Sequence, residues 1–165
     1  MSRYRSPAPP KAPYITPQGY QTLLHEQSQL WHRRNEVVKA LSEAAAEGDR
    51  SENAEYIYRK KELREIDARI RYLQKRIPAL KVIENQPANK EVIYFGAWVT
   101  LSNVNNETFN YRLVGPDEFD QHKDYISIDS PVARALLKKT VGDELEIVTP
   151  KGVKFFDILQ VRYDN

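Results

Sequence analysis

Two carboxylates three positions apart, Asp49 and Glu52, are the residues of this chain best suited to metal-dependent chemistry. They lie in a polar stretch, residues 47–56, between two long segments with helical periodicity. Carboxylate oxygens suit Mg²⁺, yet two exposed carboxylates are too few for an ion that prefers octahedral oxygen coordination. Within another protein's site that already holds one metal ion, the same pair could supply ligands for a second ion in phosphodiester displacement.

The same spacing also fits a structural role. In a capping box, Asp49 is the N-cap of a helix and Glu52 reaches back from the third helical position, where acids also interact favourably with the helix dipole. Gly48 suits the left-handed residue that ends one helix, and Asp49 or Ser51 suits the cap that starts the next. The residues alone leave both interpretations open.

The chain lacks the residues that other common kinds of catalytic or metal site require. The chain of 165 residues has no cysteine, which excludes disulfides and thiolate metal sites and makes a reducing cytosol the expected location. It has no phosphate-binding glycine loop, no serine nucleophile elbow and no apolar run long enough for a membrane span. His25 and His32 are seven positions apart, about 10.5 Å along a helix, which is too far to share a metal ion. A self-contained active site is not expected.

Two heptad seams predict the element that carries the acids. Thr16 and Pro17 form a capped start for the first helix, and Pro78 should end the second helix near Ile77. Two such seams joined by a short bend predict an antiparallel coiled coil, and a first helix from 17 to 46 would be ~45 Å long. The seam residues are Tyr20, Leu23, Gln27, Leu30, Arg34, Val37, Leu41 and Ala44, then Leu63, Ile66, Ile70, Leu73, Ile77 and Leu80.

Beyond the seams the apolar period changes to two, which predicts strands. Ser130 and Pro131 start a short helix expected to run through Lys138, so the C-terminal part should be a compact α+β domain. The predicted strands are 92–101 with an interruption at Gly96, 108–114, 145–148 and 153–161. The predicted organisation is a disordered arm at 1–13, the coiled coil at 14–83 with an acidic tip at 47–55, a linker at 84–91 and the α+β domain at 92–165.

Two strings resemble a known family. Residues 48–56 (GDRSENAEY) resemble the tip signature of the bacterial Gre transcript-cleavage factors, and Arg50 together with residues 58–61 (YRKK) resembles the GreB branch more than the GreA branch. Residues 126–137 (ISIDSPVARALL) resemble the family's C-terminal domain. The resemblance runs from about Tyr14 to the C-terminus and implies an FKBP-like fold for the α+β domain, without any isomerase activity.

The resemblance also implies an activity. The coiled coil would enter the secondary channel of bacterial RNA polymerase, and the polymerase would then hydrolyse its own backtracked transcript. Asp49 and Glu52 would help to bind Mg²⁺ shared with the polymerase active site and to activate water, so the chain would have no cofactor of its own and would not itself be an enzyme. The supporting tip residues would be Arg50, Ser51 and Asn53, and the polymerase-docking residues would be Asp129, Ser130 and Pro131.

Bases are concentrated beyond the tip, where nine of them accompany three acids from 59 to 81. Contacts between bases and phosphates supply sequence-independent affinity, so we expect this part of the shaft to contact the nascent RNA 3′ segment. The alternative is a solubilising helix face whose bases pair with neighbouring acids. The candidate RNA contacts are Arg59, Lys60, Lys61 and Arg64.

A second class of function remains open at this point. A coiled-coil binding module without a catalytic part, such as a polymerase-channel blocker or an RNA-binding adaptor, would keep the hairpin but change or crowd the tip acids. Here the acids of the signature are intact, which favours cleavage. The expected protein is a cytoplasmic monomer whose partners are RNA polymerase and nascent RNA, with no membrane contact.

Overall fold

The structure is a computed structural model that describes residues 9–48 and 53–163. These residues form two compact units, one of residues 20–80 and the other of residues up to 19 together with those from 81 onward. The first unit is a helical hairpin, and the second is built on a five-stranded sheet. The predicted fold class, a helical hairpin with an α+β domain, is confirmed.

Helices α1 (Pro17–Ala45) and α2 (Ala54–Arg76) form the hairpin. Arg34 Nε lies 2.7 Å from a carboxylate oxygen of Asp67, and Arg69 Nη2 lies 2.8 Å from Glu26. Because the earlier residue of α1 meets the later residue of α2, the helices are antiparallel, as the seams predict. The buried centre of the hairpin is Val37, Ile66 and Ile70, with Leu30 and Leu63 packed against it.

Local signals explain where the helices begin and end. The Thr16 hydroxyl accepts a hydrogen bond from the Gly19 N–H at 3.1 Å, which caps α1. Helix α2 ends at Arg76, and Ile77–Ala79 continue as one turn of 3₁₀ helix. Pro78 has no N–H to donate and its ring obstructs the preceding turn. The predicted end of the second helix near Ile77 is therefore confirmed.

The sheet unit places its strands in the spatial order β5–β4–β3–β7–β6. Neighbours are antiparallel except β4 and β5, which are parallel. Every second residue in the first part of β3 and in β6 is buried, which fits the predicted period of two. The elements are β3 (Trp98–Asn103), β4 (Thr108–Val114), β5 (Tyr125–Ser127), α3 (Pro131–Leu136), β6 (Glu144–Thr149) and β7 (Gly152–Arg162).

One core fills the space between the sheet and α3. Helix α3 contributes Ala133 and Leu136, which are both fully buried, and the strands supply most of the rest. The apolar side of the sheet is therefore covered by its own short helix. The core residues are Ile93, Ala97, Val99, Leu101, Leu113, Ala133, Leu136, Leu145, Ile147, Ile158 and Tyr163.

Two predicted boundaries in this unit are wrong. Residues 92–95 are not a strand: Val92 makes an isolated bridge with Thr140, and Gly96 has a φ of +85°, which turns the chain before β3 begins at Trp98. Helix α3 stops at Leu136 and does not run through Lys138, whose φ of +68° is incompatible with a helix.

Three short strands were not predicted at all. They are β5 and the pair β1 (Tyr14–Ile15) and β2 (Lys81–Val82), which lie parallel to each other. The pair belongs to the sheet unit, so residues 14–19 and 81–83, predicted within the coiled-coil domain, group with the sheet instead. The predicted arm also makes contacts near its end, since the Ala12 N–H donates to Asp129 at 3.0 Å.

A buried carboxylate holds the start of α1. Glu118 is fully buried, and it accepts hydrogen bonds from the Thr16 N–H at 2.8 Å, from the Thr16 hydroxyl and from the Gly115 N–H at 3.1 Å. A side chain on Gly19 would put its Cβ 2.3 Å from a Glu118 oxygen, so only glycine fits there. We call Thr16, Gly19, Gly115 and Glu118 the root cluster.

Candidate functional site

The end of the hairpin is closed by Asn53. Its side-chain oxygen accepts a hydrogen bond from the Tyr56 N–H at 3.0 Å, and its amide nitrogen donates to the Ala44 carbonyl at 2.8 Å. One side chain therefore caps α2 and also ties α2 to the last turn of α1. Gly48 has a φ of +125°, so the predicted change of backbone hand after the first helix is confirmed.

The predicted cap is wrong in its position. Helix α2 begins at Ala54 with Asn53 as its N-cap, and not with Asp49 or Ser51. The sequence rule could not choose among the three because each has a side-chain oxygen suited to capping. Asn53 also reaches the Ala44 carbonyl, which is a contact that the local sequence does not reveal.

Four of the predicted tip residues lie outside the described part of the chain. They are Asp49, Arg50, Ser51 and Glu52, which join Gly48 to Asn53. Of the five tip residues predicted to act in the polymerase site, the structure therefore describes Asn53 alone. Close to it, Glu55 is engaged, since its carboxylate lies 2.8 Å from Arg59 Nε.

The cations of α2 fall into two groups. Arg59 lies on what we call the paired face, where carboxylates meet bases across and along the hairpin. Its guanidinium contacts both Glu55 and Glu62, and Glu62 also meets Arg33 of α1 at 2.7 Å. The paired face consists of Glu26, Arg33 and Glu36 on α1 and Glu55, Arg59, Glu62 and Arg69 on α2.

Electrostatics on the paired face follow from these contacts. Partial burial alone would raise the pKa of Glu62, but the guanidinium groups of Arg33 and Arg59 outweigh it and hold that pKa below its ordinary value. Glu62 therefore stays ionised and neutralises part of the charge of both bases. Arg59, predicted to contact RNA, is the member of that set that already has two carboxylate partners.

The other three predicted RNA contacts lie outside the paired face. Lys60, Lys61 and Arg64 are exposed, and no carboxylate of the described residues pairs with them. The Lys60 ammonium lies 5.8 Å from the centre of the Tyr56 ring, which is within range of a cation–π interaction. The structure thus separates the predicted quartet into one neutralised base and three that remain available.

The predicted docking residues form a helix start. The Ser130 hydroxyl accepts from the Ala133 N–H at 3.2 Å, and Pro131 is the first residue of α3, so the predicted cap is confirmed. Asp129 sits just before the cap, where its carboxylate accepts the Ala12 N–H. The three residues are thus side by side on the sheet unit, and Asp129 already has one partner.

Sequence reasoning missed the root cluster. Burial raises the pKa of Glu118, although hydrogen bonds from Thr16 and Gly115 and the charge of Arg112 act in the opposite direction. Nothing local marks Glu118 as buried, because residues 115–124 around it are mostly polar or turn-forming. The signal is tertiary, since its partner Thr16 lies far away along the chain.

The described residues offer neither a ready metal site nor a membrane-spanning helix. Within residues 9–48 and 53–163, no group of three His, Asp or Glu side chains is placed to hold a metal ion. No helix in those residues is long and apolar enough to cross a membrane.

Comparison with known proteins defines the class. Residues 13–82 match the family model described as transcription elongation factor, N-terminal, and residues 88–163 match the model described as transcription elongation factor, GreA/GreB, C-term. Together they cover most of the chain and both units. The chain therefore belongs to the GreA/GreB family of transcription elongation factors.

Within that family, two similar relatives are named transcription elongation factor GreB. The one from Pseudomonas aeruginosa is 53% identical over 99% of this chain and 98% of its own length. The one from Yersinia pestis is 54% identical over 93% of this chain and 90% of its own length. Among solved structures, GreA factor homolog 1 (Gfh1) of Thermus thermophilus is 29% identical, with 90% of this chain and 97% of that chain covered and a TM-score of 0.41.

Proposed function

We propose that this protein is a transcript-cleavage factor that stimulates the RNA hydrolysis activity of bacterial RNA polymerase. In this role the hairpin enters the secondary channel and brings Asp49 and Glu52 to the polymerase active site. The polymerase performs the hydrolysis, and this chain completes its site in trans. Arrested complexes with backtracked RNA are the substrate.

The observation that carries the proposal is the cap of α2. The structural alternative for Asp49 and Glu52 is that they cap the second helix, but Asn53 holds that position and also bonds Ala44. The N-cap position of α2 is thus taken by a residue other than the two acids, so the predicted capping box does not account for them. Two carboxylates so close in the chain are suited in kind to an external metal ion.

The donor set fits Mg²⁺ in kind but not in number. Carboxylate oxygens are hard ligands, and Asp49 and Glu52 would supply two of them to an ion held jointly with the polymerase. Such an ion supplies charge stabilisation for the attacking and leaving oxygens of a phosphodiester. The two carboxylates would also orient a water molecule by accepting its hydrogen bonds, and Arg50, Ser51 and Asn53 would support the bend around them.

Helix α2 would bind the extruded RNA, and the sheet unit would bind polymerase. Lys60, Lys61 and Arg64 are exposed and lack carboxylate partners among the described residues, so they are suited to phosphates of the extruded RNA. Arg59 contributes less, since two carboxylates already neutralise it. For polymerase binding we propose the start of α3, where Asp129, Ser130 and Pro131 lie together.

The test uses stalled, backtracked bacterial elongation complexes. Asp49→Asn and Glu52→Gln each remove a negative charge with little change of shape, so cleavage should fall by well over tenfold, which corresponds to more than ~1.4 kcal/mol of barrier. Affinity for polymerase and thermal stability should stay close to wild type. Extra Mg²⁺ should restore part of the rate.

The matched control is Asn53→Ala, which removes the cap but no charge. It should lower the stability of the hairpin and spare much more of the cleavage rate than the acid variants do. If both amide variants cleave as wild type does while binding polymerase normally, the protein is a non-catalytic channel-binding module and the proposal is wrong.

A further inference from the structure

The residues that lead into β1 contact the start of α3. The Ala12 N–H donates a hydrogen bond to Asp129 Oδ2 at 3.0 Å, although the two residues are 117 positions apart in the chain. We call residues 9–13 the lead segment. The sequence predicts only a disordered arm here, so the contact with Asp129 is one that the structure alone reveals.

The lead segment is anchored independently of Asp129. The Pro13 carbonyl accepts a hydrogen bond from the Lys81 N–H at 2.7 Å, and the next residue begins β1, which pairs with β2. The Tyr14 carbonyl oxygen packs so closely on Gly115 that a Cβ there would lie 1.9 Å away. The backbone on both sides of the Pro13 peptide is thus held in place, and with it the position of the Ala12 N–H.

The backbone of Asp129 is also held. The Ser130 N–H donates to the Ser127 carbonyl at 2.9 Å, and the Asp129 N–H donates to Ser127 Oγ at 3.1 Å. These bonds close a turn between β5 and α3. The torsions of the Asp129 side chain are then the remaining freedom, and the hydrogen bond from Ala12 selects among them.

The Asp129 carboxylate has capacity for a further partner. Asp129 is partly exposed, and an ionised carboxylate can accept about four hydrogen bonds on its two oxygens. Among the residues that the structure describes, no base forms an ion pair with it. Since the backbone N–H of Ala12 carries no net charge, it orients the carboxylate without neutralising it. The other oxygen is left for a base from outside the chain.

We propose that Ala12 is a positioning residue for polymerase docking, because its N–H holds the Asp129 carboxylate in the rotamer whose other oxygen meets an arginine or lysine side chain of polymerase. Ordering a side chain at an interface costs entropy on binding. Here that entropy is already lost on folding, so the docking surface is preorganised. The inference rests on the proposed function, in which the start of α3 binds polymerase.

A masking contact, which would have to leave before docking, fits the structure less well. The Ala12 N–H could withdraw only if the bond between Pro13 and Lys81 also broke or the chain turned away sharply beside it. One carboxylate oxygen stays available while the bond from Ala12 is in place. Positioning and masking predict opposite changes of affinity when the donor is removed, so one variant separates them.

Ala12→Pro removes the donor, because proline has no backbone N–H. Ala12 precedes Pro13, a position biased toward extended and polyproline II backbone, which proline itself adopts. The affinity of the full chain for bacterial RNA polymerase should fall about fivefold, as expected for one side chain that must be ordered on binding. The matched control is Ala12→Gly, which keeps the N–H and should bind nearly as wild type does.

A double-mutant cycle links the effect to Asp129. Asp129→Ala alone should weaken polymerase binding, and adding Ala12→Pro to it should cause no further loss, because both residues act through one bond. In cleavage assays Ala12→Pro should raise the protein concentration needed for half-maximal cleavage far more than it lowers the maximal rate. A bond that served only the stability of the sheet unit would lower the melting temperature and leave the affinity unchanged.

Three outcomes would overturn the inference. They are polymerase affinity of Ala12→Pro equal to wild type, tighter binding by that variant, which would mean masking, or an equal loss from Ala12→Pro with and without Asp129. A failure of the proposed function gives a different pattern. If Asp49→Asn cleaved as wild type does, the tip chemistry would be wrong, while a coupling of Ala12 and Asp129 in polymerase affinity would still stand.

Discussion

Two carboxylates in two regions of this molecule are used in opposite ways. Glu118 in the root cluster is fully buried, and neutral groups hold it, namely the Thr16 N–H and hydroxyl and the Gly115 N–H. Glu62 on the hairpin is partly exposed and lies between the guanidinium groups of Arg33 and Arg59. In the root cluster, close packing restricts positions 19 and 115 to glycine. On the hairpin, Glu62 is instead held by two opposite charges.

The largest expected effect is at Gly115. A Cβ on this residue would lie 1.9 Å from the Tyr14 carbonyl oxygen, so the root must open to accept it. Gly115→Ala should therefore lower the free energy of unfolding of the sheet unit by more than ~3 kcal/mol, as the severest substitutions do. Urea denaturation followed by Trp98 fluorescence measures it.

Gly48→Ala is the matched control in the hairpin. Among the residues that the structure describes, no atom lies within 4 Å of a Cβ there, and the expected cost is that of the φ of +125°, on the order of 1–3 kcal/mol. If Gly115→Ala and Gly48→Ala lowered the free energy of unfolding of their own units equally, the root cluster would not be more tightly packed than the hairpin at these positions.

Glu118→Ala should have the next largest effect. It leaves the N–H groups of Thr16 and Gly115 buried without an acceptor, at about 1–3 kcal/mol each. Glu118→Gln keeps an acceptor of the same length and should cost clearly less. A loss in Glu118→Gln as great as in Glu118→Ala would show that the charge, and not the hydrogen bonds, stabilises the root.

Asn53→Ala is expected to cost about 1 kcal/mol of hairpin stability, the usual loss for an N-cap. The helical circular dichroism signal should melt at a lower temperature. Asn53→Asp keeps the capping oxygen but loses the donor to Ala44, so it should fall between wild type and Asn53→Ala. Unchanged melting of Asn53→Ala would mean that its two hydrogen bonds do not stabilise the hairpin.

The smallest effects should appear in the pH dependence, with opposite signs in the two regions. Burial raises the pKa of Glu118, so between its unfolded and folded values the folded state binds more protons, and stability falls as pH rises through that window. Guanidinium contacts lower the pKa of Glu62, so its contribution is present above the unfolded value and is lost as pH falls through the folded one.

Unfolding curves of Glu118→Gln and Glu62→Gln, each compared with wild type from about pH 3 to about pH 7, a range that extends to both sides of the ordinary carboxyl pKa, measure these slopes. Relative to wild type, Glu118→Gln should gain stability as pH rises, and Glu62→Gln should lose a little. Slopes of the same sign would contradict the assigned environments.

Sequence periodicity was sufficient wherever an element is repetitive. The seams of α1 and α2, the strand β4 and the hairpin of β6 and β7 follow from alternation that extends over many residues. Periodicity failed where only a few residues determine the local structure. The apolar run at 92–95 resembles a strand, but Ile93 is buried by a turn before β3, and β5 is three residues long and pairs in parallel.

The candidate site divides in the same way. The position of the bend and the basic character of α2 could be predicted, because both depend on local residue types. Which bases are neutralised could not, since Arg59 and Lys60 are adjacent and differ only in which side of the hairpin they face. The cap could not be chosen among Asp49, Ser51 and Asn53 without knowing that Asn53 also reaches Ala44.

The parallel pairing of β1 and β2 also bears on the order in which the chain folds. Pairing Tyr14 with Lys81 closes a loop that contains the whole hairpin. Closing such a loop from a disordered chain costs entropy that grows with its length, whereas the contacts along helices are local and form quickly. Once α1 and α2 have paired, the chain leaves and returns at the same end of the hairpin. We therefore expect the hairpin to form early and the two-residue strands β1 and β2 to pair last.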